Sequence, residues 1–157
     1  MPKSFSDSRT KFLTDLQNGQ AGERKVAAAL KKAYLASTIT FTDEGKDYDF
    51  ILGFPNKSSM KVEVKSDFLS VKTGNAFLEY SCNSKPSGLL TTEAETYAFF
   101  FPHLNEILTF CPKLMWRHLE TTKYRNVNGG DGFRASGYLM GIDIMRDLPF
   151  VTTISIK

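Results

Sequence analysis

The sequence predicts an α/β domain with a mostly antiparallel central sheet. Three observations lead there. An Ala- and Lys-rich helical segment comes first, a meander of short β-branched and alternating segments follows, and two of those segments are joined by a turn of only five residues. At 157 residues, the chain matches one domain, residues 1–157, with room for a substantial core.

In chain order, Ser6-Asp7-Ser8 can cap a short helix through about Gln17, with Phe12, Leu13 and Leu16 on one side. Asn18-Gly19 is expected to break it. A second helix is predicted from about Ala21 to Leu35, with Val26, Ala29, Leu30 and Ala33 as its buried stripe. Thr38 to Thr42 is a β-branched strand. Asp47 to Phe54 and Met60 to Ser66 read as strands flanking the turn Pro55-Asn56-Lys57-Ser58-Ser59. Ala76 to Cys82 is a further strand, followed by the loop Asn83 to Gly88. Thr91-Thr92-Glu93 resembles a short helix start and leads into the apolar run Tyr97 to Phe101, by default a buried core strand. Ile107 to Cys111 is a strand, and Pro112 opens a helix through about Leu119 with Trp116 in its core. Asn126 to Gly132 reads as a flexible glycine-rich loop. Ser136 to Met140 and Val151 to Ile156 are late strands, separated by a short helix near Asp143 to Asp147.

Composition narrows the function classes. Hydrophobic residues make up 41% and charged residues 24%, an ordinary globular balance, and the 13 Phe must supply much of the core. No segment approaches the ~20 apolar residues of a membrane helix. Met1 to Leu16 lacks the apolar stretch of a secretion signal, so no membrane association and a cytoplasmic location are expected. Cys82 and Cys111 have no Cys or His at zinc-like spacing and read as reduced core thiols; His103 and His118 read as structural. Net charge is only +3, but it is unevenly spread. Residues 1–40 carry seven Lys/Arg against three Asp/Glu, residues 41–95 six against nine, and residues 96–157 seven against five. An acidic centre between basic ends suits a metal site flanked by phosphate-binding surface, though an ordinary solvated surface gives a similar distribution.

The hairpin carries the chemistry. Strand side chains alternate, so Glu63 and Lys65 share one face while Val62 and Val64 take the other. The same rule groups Asp47, Asp49 and Ile51. If Phe54 pairs with Met60, Asp49 and Glu63 become diagonal neighbours with Cβ atoms ~7 Å apart. Two carboxylates so placed can reach one cation, since Mg²⁺ binds oxygen at about 2.1 Å. Grouping two acids and an ammonium on a half-buried sheet costs desolvation that a bound cation would offset. Taken singly, Asp49 and Glu63 are also compatible with exposed strand residues paired with lysines. Glu23 is compatible with a solvated first helical turn.

Asp49, then Glu63-Val64-Lys65 fourteen residues later across one turn, resembles the PD-(D/E)XK nuclease superfamily. Tyr48-Asp49 stands for the Pro-Asp step, and Gly22-Glu23 is placed like the helical acid of Holliday-junction-resolvase-like members. The resemblance covers roughly residues 20–82. Gly74-Asn75-Ala76 to Glu79-Tyr80, Lys85-Pro86-Ser87-Gly88 and Thr91-Thr92 are similar to small phage-type endonucleases of this superfamily.

The resemblance implies a restriction-endonuclease-like αβββαβ core, with helices flanking a central mixed sheet. It further implies a Mg²⁺- or Mn²⁺-dependent endodeoxyribonuclease, a phosphodiester hydrolase. Asp49, Glu63 and the Val64 carbonyl would bind metal, and Lys65 and Glu23 would join Asp49 and Glu63 as catalytic residues. Asp47 is the alternative ligand if the register slips, and Glu79 an additional candidate, although a solvated strand Glu explains it as well. Lys85, Ser87, Thr91 and Thr92 lie in a Pro/Gly loop suited to phosphate contacts, or form a plain turn. The implied partner is DNA, branched or sequence-specific, in a bacterium or phage-infected cell. Cutting both strands with so small a chain favours a homodimer or higher homo-oligomer. Two other readings stay open: a catalytically silent nucleic-acid-binding protein on the same fold, and a structural domain with no nucleic-acid role.

Overall fold

One 29-residue helix, α1 (Phe5–Ala33), opens the chain in the computed structural model, which describes residues 5–43, 47–129 and 131–157. The break expected at Asn18-Gly19 does not occur. A helical glycine costs about 1 kcal/mol relative to alanine, less than breaking the turn's backbone hydrogen bonds would cost. The helix begins before the cap expected at Ser6-Asp7-Ser8; the side chains of those residues and of Phe12 lie outside the described ones. Leu13 and Leu16 remain about half exposed, so the stripe predicted there is not core. Val26, Ala27 and Leu30 are buried, Ala29 partly so, and Ala33 is exposed.

The strands are β1 (Thr38–Phe41), β2 (Phe50–Gly53), β3 (Ser59–Ser66), β4 (Asn75–Cys82), β5 (Lys85–Pro86), β6 (Thr96–Phe101), β7 (Glu106–Phe110), β8 (Arg125–Gly129), β9 (Ala135–Gly141) and β10 (Thr152–Ser155). They form two sheets, ordered β1-β2-β3-β6-β7-β10 and β5-β4-β9-β8. Among the described residues, only β3 and β6 pair in parallel; the other pairings are antiparallel. The central sheet is therefore mixed and mostly antiparallel. Helices α2 (Ser70–Thr73), α3 (Pro112–Thr121) and α4 (Ile142–Arg146) complete the fold.

Where the αβββαβ pattern expects a crossover helix between β3 and β6, the chain has the single turn α2 followed by β4 and β5. The three strands of the expected αβββ unit, β1, β2 and β3, all lie in the central sheet, and β4 is an addition that founds the second one. The region read as a glycine-rich loop is also different. Residues 125–129 form β8, because Val127 and its neighbours complete a ladder on β9 (Val127 opposite Gly137) that supplies backbone partners glycine alone would not. Gly130 lies outside the described residues. The helix start expected at Thr91 is instead a 3₁₀ turn at Gly88–Leu90.

Alternation along β6 divides the core. Ala98 and Phe100 face α1 with Phe50, Leu52 and Val62, whereas Tyr97, Phe99 and Phe101 face Leu78, Met115 and Met140 on the other side. A central strand covered on both faces has no polar side, which is why Tyr97 to Phe101 reads as a continuous apolar run. Trp116 packs at the margin of that second cluster, with Tyr80 at 5.6 Å between ring centroids. His118 shares a 2.7 Å hydrogen bond with the Tyr124 hydroxyl. Both cysteines are free and half buried rather than fully core. A register irregularity between Glu79 and Ser81 interrupts the alternation that would have taken Cys82 inward. No helix among the described residues is long and apolar enough to cross a membrane.

Candidate active site

The β2–β3 hairpin pairs Leu52 with Met60, Ile51 with Lys61 and Phe50 with Val62. This is displaced by two residues from the expected Phe54–Met60 pairing. The turn keeps its five-residue length but moves one residue toward the N-terminus, between Gly53 and Ser59, with Phe54 N–H donating to the Ser58 carbonyl and Lys57 at φ 66°. A two-residue displacement leaves the face assignments intact, because side chains repeat every second residue. It does move Asp49 closer to Glu63 along the hairpin.

Strand β2 begins at Phe50, so Asp47, Tyr48 and Asp49 form a bend rather than a strand, and the shared face expected for Asp47 and Asp49 is not formed. Beside that bend the edge of β3 is open. The Asp49 N–H donates to the Val62 carbonyl at 2.8 Å, and the Val64 N–H donates to Asp49 Oδ2 at 2.7 Å. Thr42 closes the other side: its N–H and hydroxyl both donate to the Asp49 carbonyl, at 3.0 Å each. Asp49 is thereby fixed at the point where the two strands separate. In a strand, the N–H and C=O of one residue point to the same edge. The Val64 carbonyl therefore faces the Asp49 side.

Three carboxyls meet electrostatically there. Burial, followed by repulsion from Asp49, pushes Glu23 above the usual carboxylate range. Burial raises Asp49, while the Val64 N–H and the Lys65 ammonium pull it down. Glu63 is pushed up to about 7, first by burial and then by Asp49; Lys65 opposes the shift, and Glu23 and Asp47 add to it. The sequence-predicted centre is thus one coupled cluster of Glu23, Asp49, Glu63 and Lys65, with Asp47 at its rim.

Local packing explains how Glu23 reaches this cluster from α1. A Cβ on Gly22 would lie 2.5 Å from Ser66 Oγ and 3.8 Å from the Phe100 ring. Glycine lets the helix approach β3 and β6 this closely without moving the Ser66 hydroxyl. A cavity of about 530 Å³ then opens between helix and strand, lined by Asp15, Asn18, Glu23, Val64, Lys65 and Phe68 among others. A second, of about 410 Å³, shares Lys65 and Phe68 and reaches Phe77, Glu79 and Val127.

Two features escape the sequence reading. Asp15 lies two turns before Glu23 on the same side of α1, a spacing visible only if the helix is continuous. Tyr97 is opposite Glu63 in the parallel ladder, and its buried phenol is pushed upward by burial and by Glu63, Glu79 and Asp49.

The loop residues divide. The Ser87 hydroxyl donates to Glu79 Oε2 at 3.1 Å, which orients Glu79 toward the site's margin. The Thr92 hydroxyl donates to the Asp47 carbonyl at 3.0 Å, tying the loop to the bend. Lys85 and Thr91 are exposed.

The donor chemistry suits a hard divalent cation: carboxylate oxygens and a backbone carbonyl, with excess negative charge that burial leaves poorly screened. Among the described residues, however, no three acidic, His or Cys side chains are gathered closely enough to share one ion.

The fold is similar to the solved structure of a bacterial homing endonuclease, I-Ssp6803I, with a TM-score of 0.51 over 87% of this chain and 84% of that one. Sequence identity is 16%, so the likeness is one of fold. No protein-family model matches the chain, and no curated protein matches it in sequence.

Proposed function

We propose that the protein is a divalent-metal-dependent DNA endonuclease with a PD-(D/E)XK-type centre at Asp49, Glu63 and Lys65, assisted by Glu23. The observation that carries this reading is the Asp49 carboxylate docked on the Val64 N–H, beside Glu63 and Lys65, where β2 and β3 separate. Fold likeness to an endonuclease acting in homing agrees with it.

In this reading Asp49, Glu63 and the Val64 carbonyl would hold Mg²⁺ or Mn²⁺, which would supply polarisation of the scissile phosphate and a lowered pKa for water. Lys65, exposed at the cavity mouth, holds the attacking water and offsets charge growing on the phosphate oxygens. Water oxygen bonds to phosphorus as the bond to the 3′ oxygen breaks, leaving 5′-phosphate and 3′-hydroxyl ends. Glu23 stays outside the direct ligand set and acts through water. Ser87 holds Glu79 at the margin as a positioning pair. Double-strand cleavage would require a homodimer or larger assembly, acting on branched or sequence-specific DNA in the cytoplasm of a bacterium or phage-infected cell.

The second reading is a DNA-binding protein that does not cut, favoured by the finding that, among the described residues, no three acidic, His or Cys side chains are placed to share one ion. A panel of linear, supercoiled, branched and single-stranded DNA, with and without Mg²⁺, separates the two. Cleavage that needs metal and disappears in Lys65→Ala supports the nuclease. Binding without cleavage under every condition supports the silent protein.

A further inference from the structure

The second sheet ends in an edge strand, β8, whose outer side has no strand partner in the order β5-β4-β9-β8. Neither β8 nor β9 contains an acidic residue, although Asp131 lies in the connection between them; Arg125 in β8 and Lys123 just before it are exposed. Register shows which way it looks. Arg125 is opposite Leu139, which is opposite Phe77; Val127 is opposite Gly137, which is opposite Glu79. Residues directly opposed across a sheet project to the same side. Arg125 therefore shares a side with Phe77, Val127 and Glu79, the residues that wall the cavity containing Lys65. A Cβ on Gly137 would lie 2.6 Å from the Phe77 ring, so the aromatic ring lies flat against the ribbon and keeps this side shallow. Arg134 lies at the ribbon's turn and lines a separate cavity with Asn128 and Ser136 on the ribbon's other side, so it does not face the acid cluster.

We propose that the β8–β9 ribbon is the arm that holds duplex DNA against the acid cluster, with Arg125 taking a backbone phosphate beside the one that is cut. This rests on the nuclease reading above. It follows from charge complementarity: the cluster repels a polyanion, so the compensating cations must lie on surfaces facing the same cavity. A two-stranded ribbon also has the width that a DNA major groove admits. Asn126 and Asn128, on the ribbon's other side, are already engaged with the Tyr80 and Ser136 hydroxyls and take no part.

The competing basic surface is a groove of about 810 Å³ between α1 and β10, lined by Lys25, Lys32 and Lys157. The test compares the two surfaces directly. Binding of a mixed-sequence DNA duplex is measured by fluorescence anisotropy over a salt series, in EDTA so that nothing is cut. The proteins are the parent, Arg125→Ala and Lys32→Ala, each checked for an unchanged melting curve. Losing one phosphate contact makes the log–log salt slope shallower by about 0.9. That change, with at least a tenfold affinity loss, is expected in the arginine variant and not in the lysine variant. Parental binding by the arginine variant, or loss confined to the lysine variant, overturns the ribbon assignment while leaving the nuclease reading intact. No salt-dependent binding by the parent overturns both.

Discussion

The carboxylate of Asp49 accepts the backbone N–H of Val64 at 2.7 Å, across the point where β2 stops and β3 continues. One side chain thereby does two things. It satisfies a strand edge that has lost its neighbour, and it holds negative charge against Glu63. These roles separate under substitution. Asp49→Asn keeps an acceptor for Val64 and removes the repulsion, so the metal-free protein should melt at or above the parental temperature. Asp49→Ala leaves the Val64 N–H without its partner and should cost about 1–3 kcal/mol. Chemical denaturation of the two variants checks the order; equal losses would mean that the hydrogen bond carries no stability.

Glu63 makes stability depend on pH. Its folded value of about 7 lies above its ordinary value of 4.5, so folding binds the proton more tightly. Stability from this group is fully present below pH 4.5 and is lost as pH rises to about 7. The whole shift corresponds to about 3 kcal/mol. Solvent reaching this half-buried carboxyl reduces it to on the order of 1–2 kcal/mol. Urea denaturation between these pH values, in EDTA, should show the decline in the parent and a flatter profile in Glu63→Gln. Identical profiles would remove the electrostatic coupling from the account.

Gly19 and Gly22 predict opposite outcomes one turn apart. Nothing lies within 4 Å of a Cβ at Gly19, in the middle of α1. Gly19→Ala should therefore stabilise the protein by about 0.5–1 kcal/mol. Gly22→Val should destabilise it by about 1–3 kcal/mol, because a branched side chain must displace Ser66 and Phe100. Thermal melting decides both; a destabilising Gly19→Ala would mean that the helix does break where Asn18-Gly19 suggests.

How far the sequence could be read depended on whether a signal was local. The alternation in Glu63-Val64-Lys65 and the helical spacing of Val26 and Leu30 are local, and the structure keeps both. Hairpin register is set by the turn's hydrogen bonds, which residue types leave ambiguous, so Asp49 lies nearer Glu63 than its spacing suggests. Asn18-Gly19 failed as a break because helix-breaking propensities are smaller than the cost of interrupting a helix anchored on a sheet. Asn126 to Gly132 reads as loop because the ladder partner of residues 125–129, β9, comes later in the chain and cannot be seen from Gly129 or Asn126. Tyr97 went unnoticed as a neighbour of Glu63 because only the parallel pairing of β3 with β6 brings them together.

The most direct measurement is the nicking rate of supercoiled plasmid in Mg²⁺ by the parent and by Glu63→Gln at equal folded concentration. The account predicts metal-dependent cutting by the parent and a loss of at least about a hundredfold in the variant, the scale on which removing one charged group from a catalytic centre acts. Cutting by Glu63→Gln at the parental rate would contradict it.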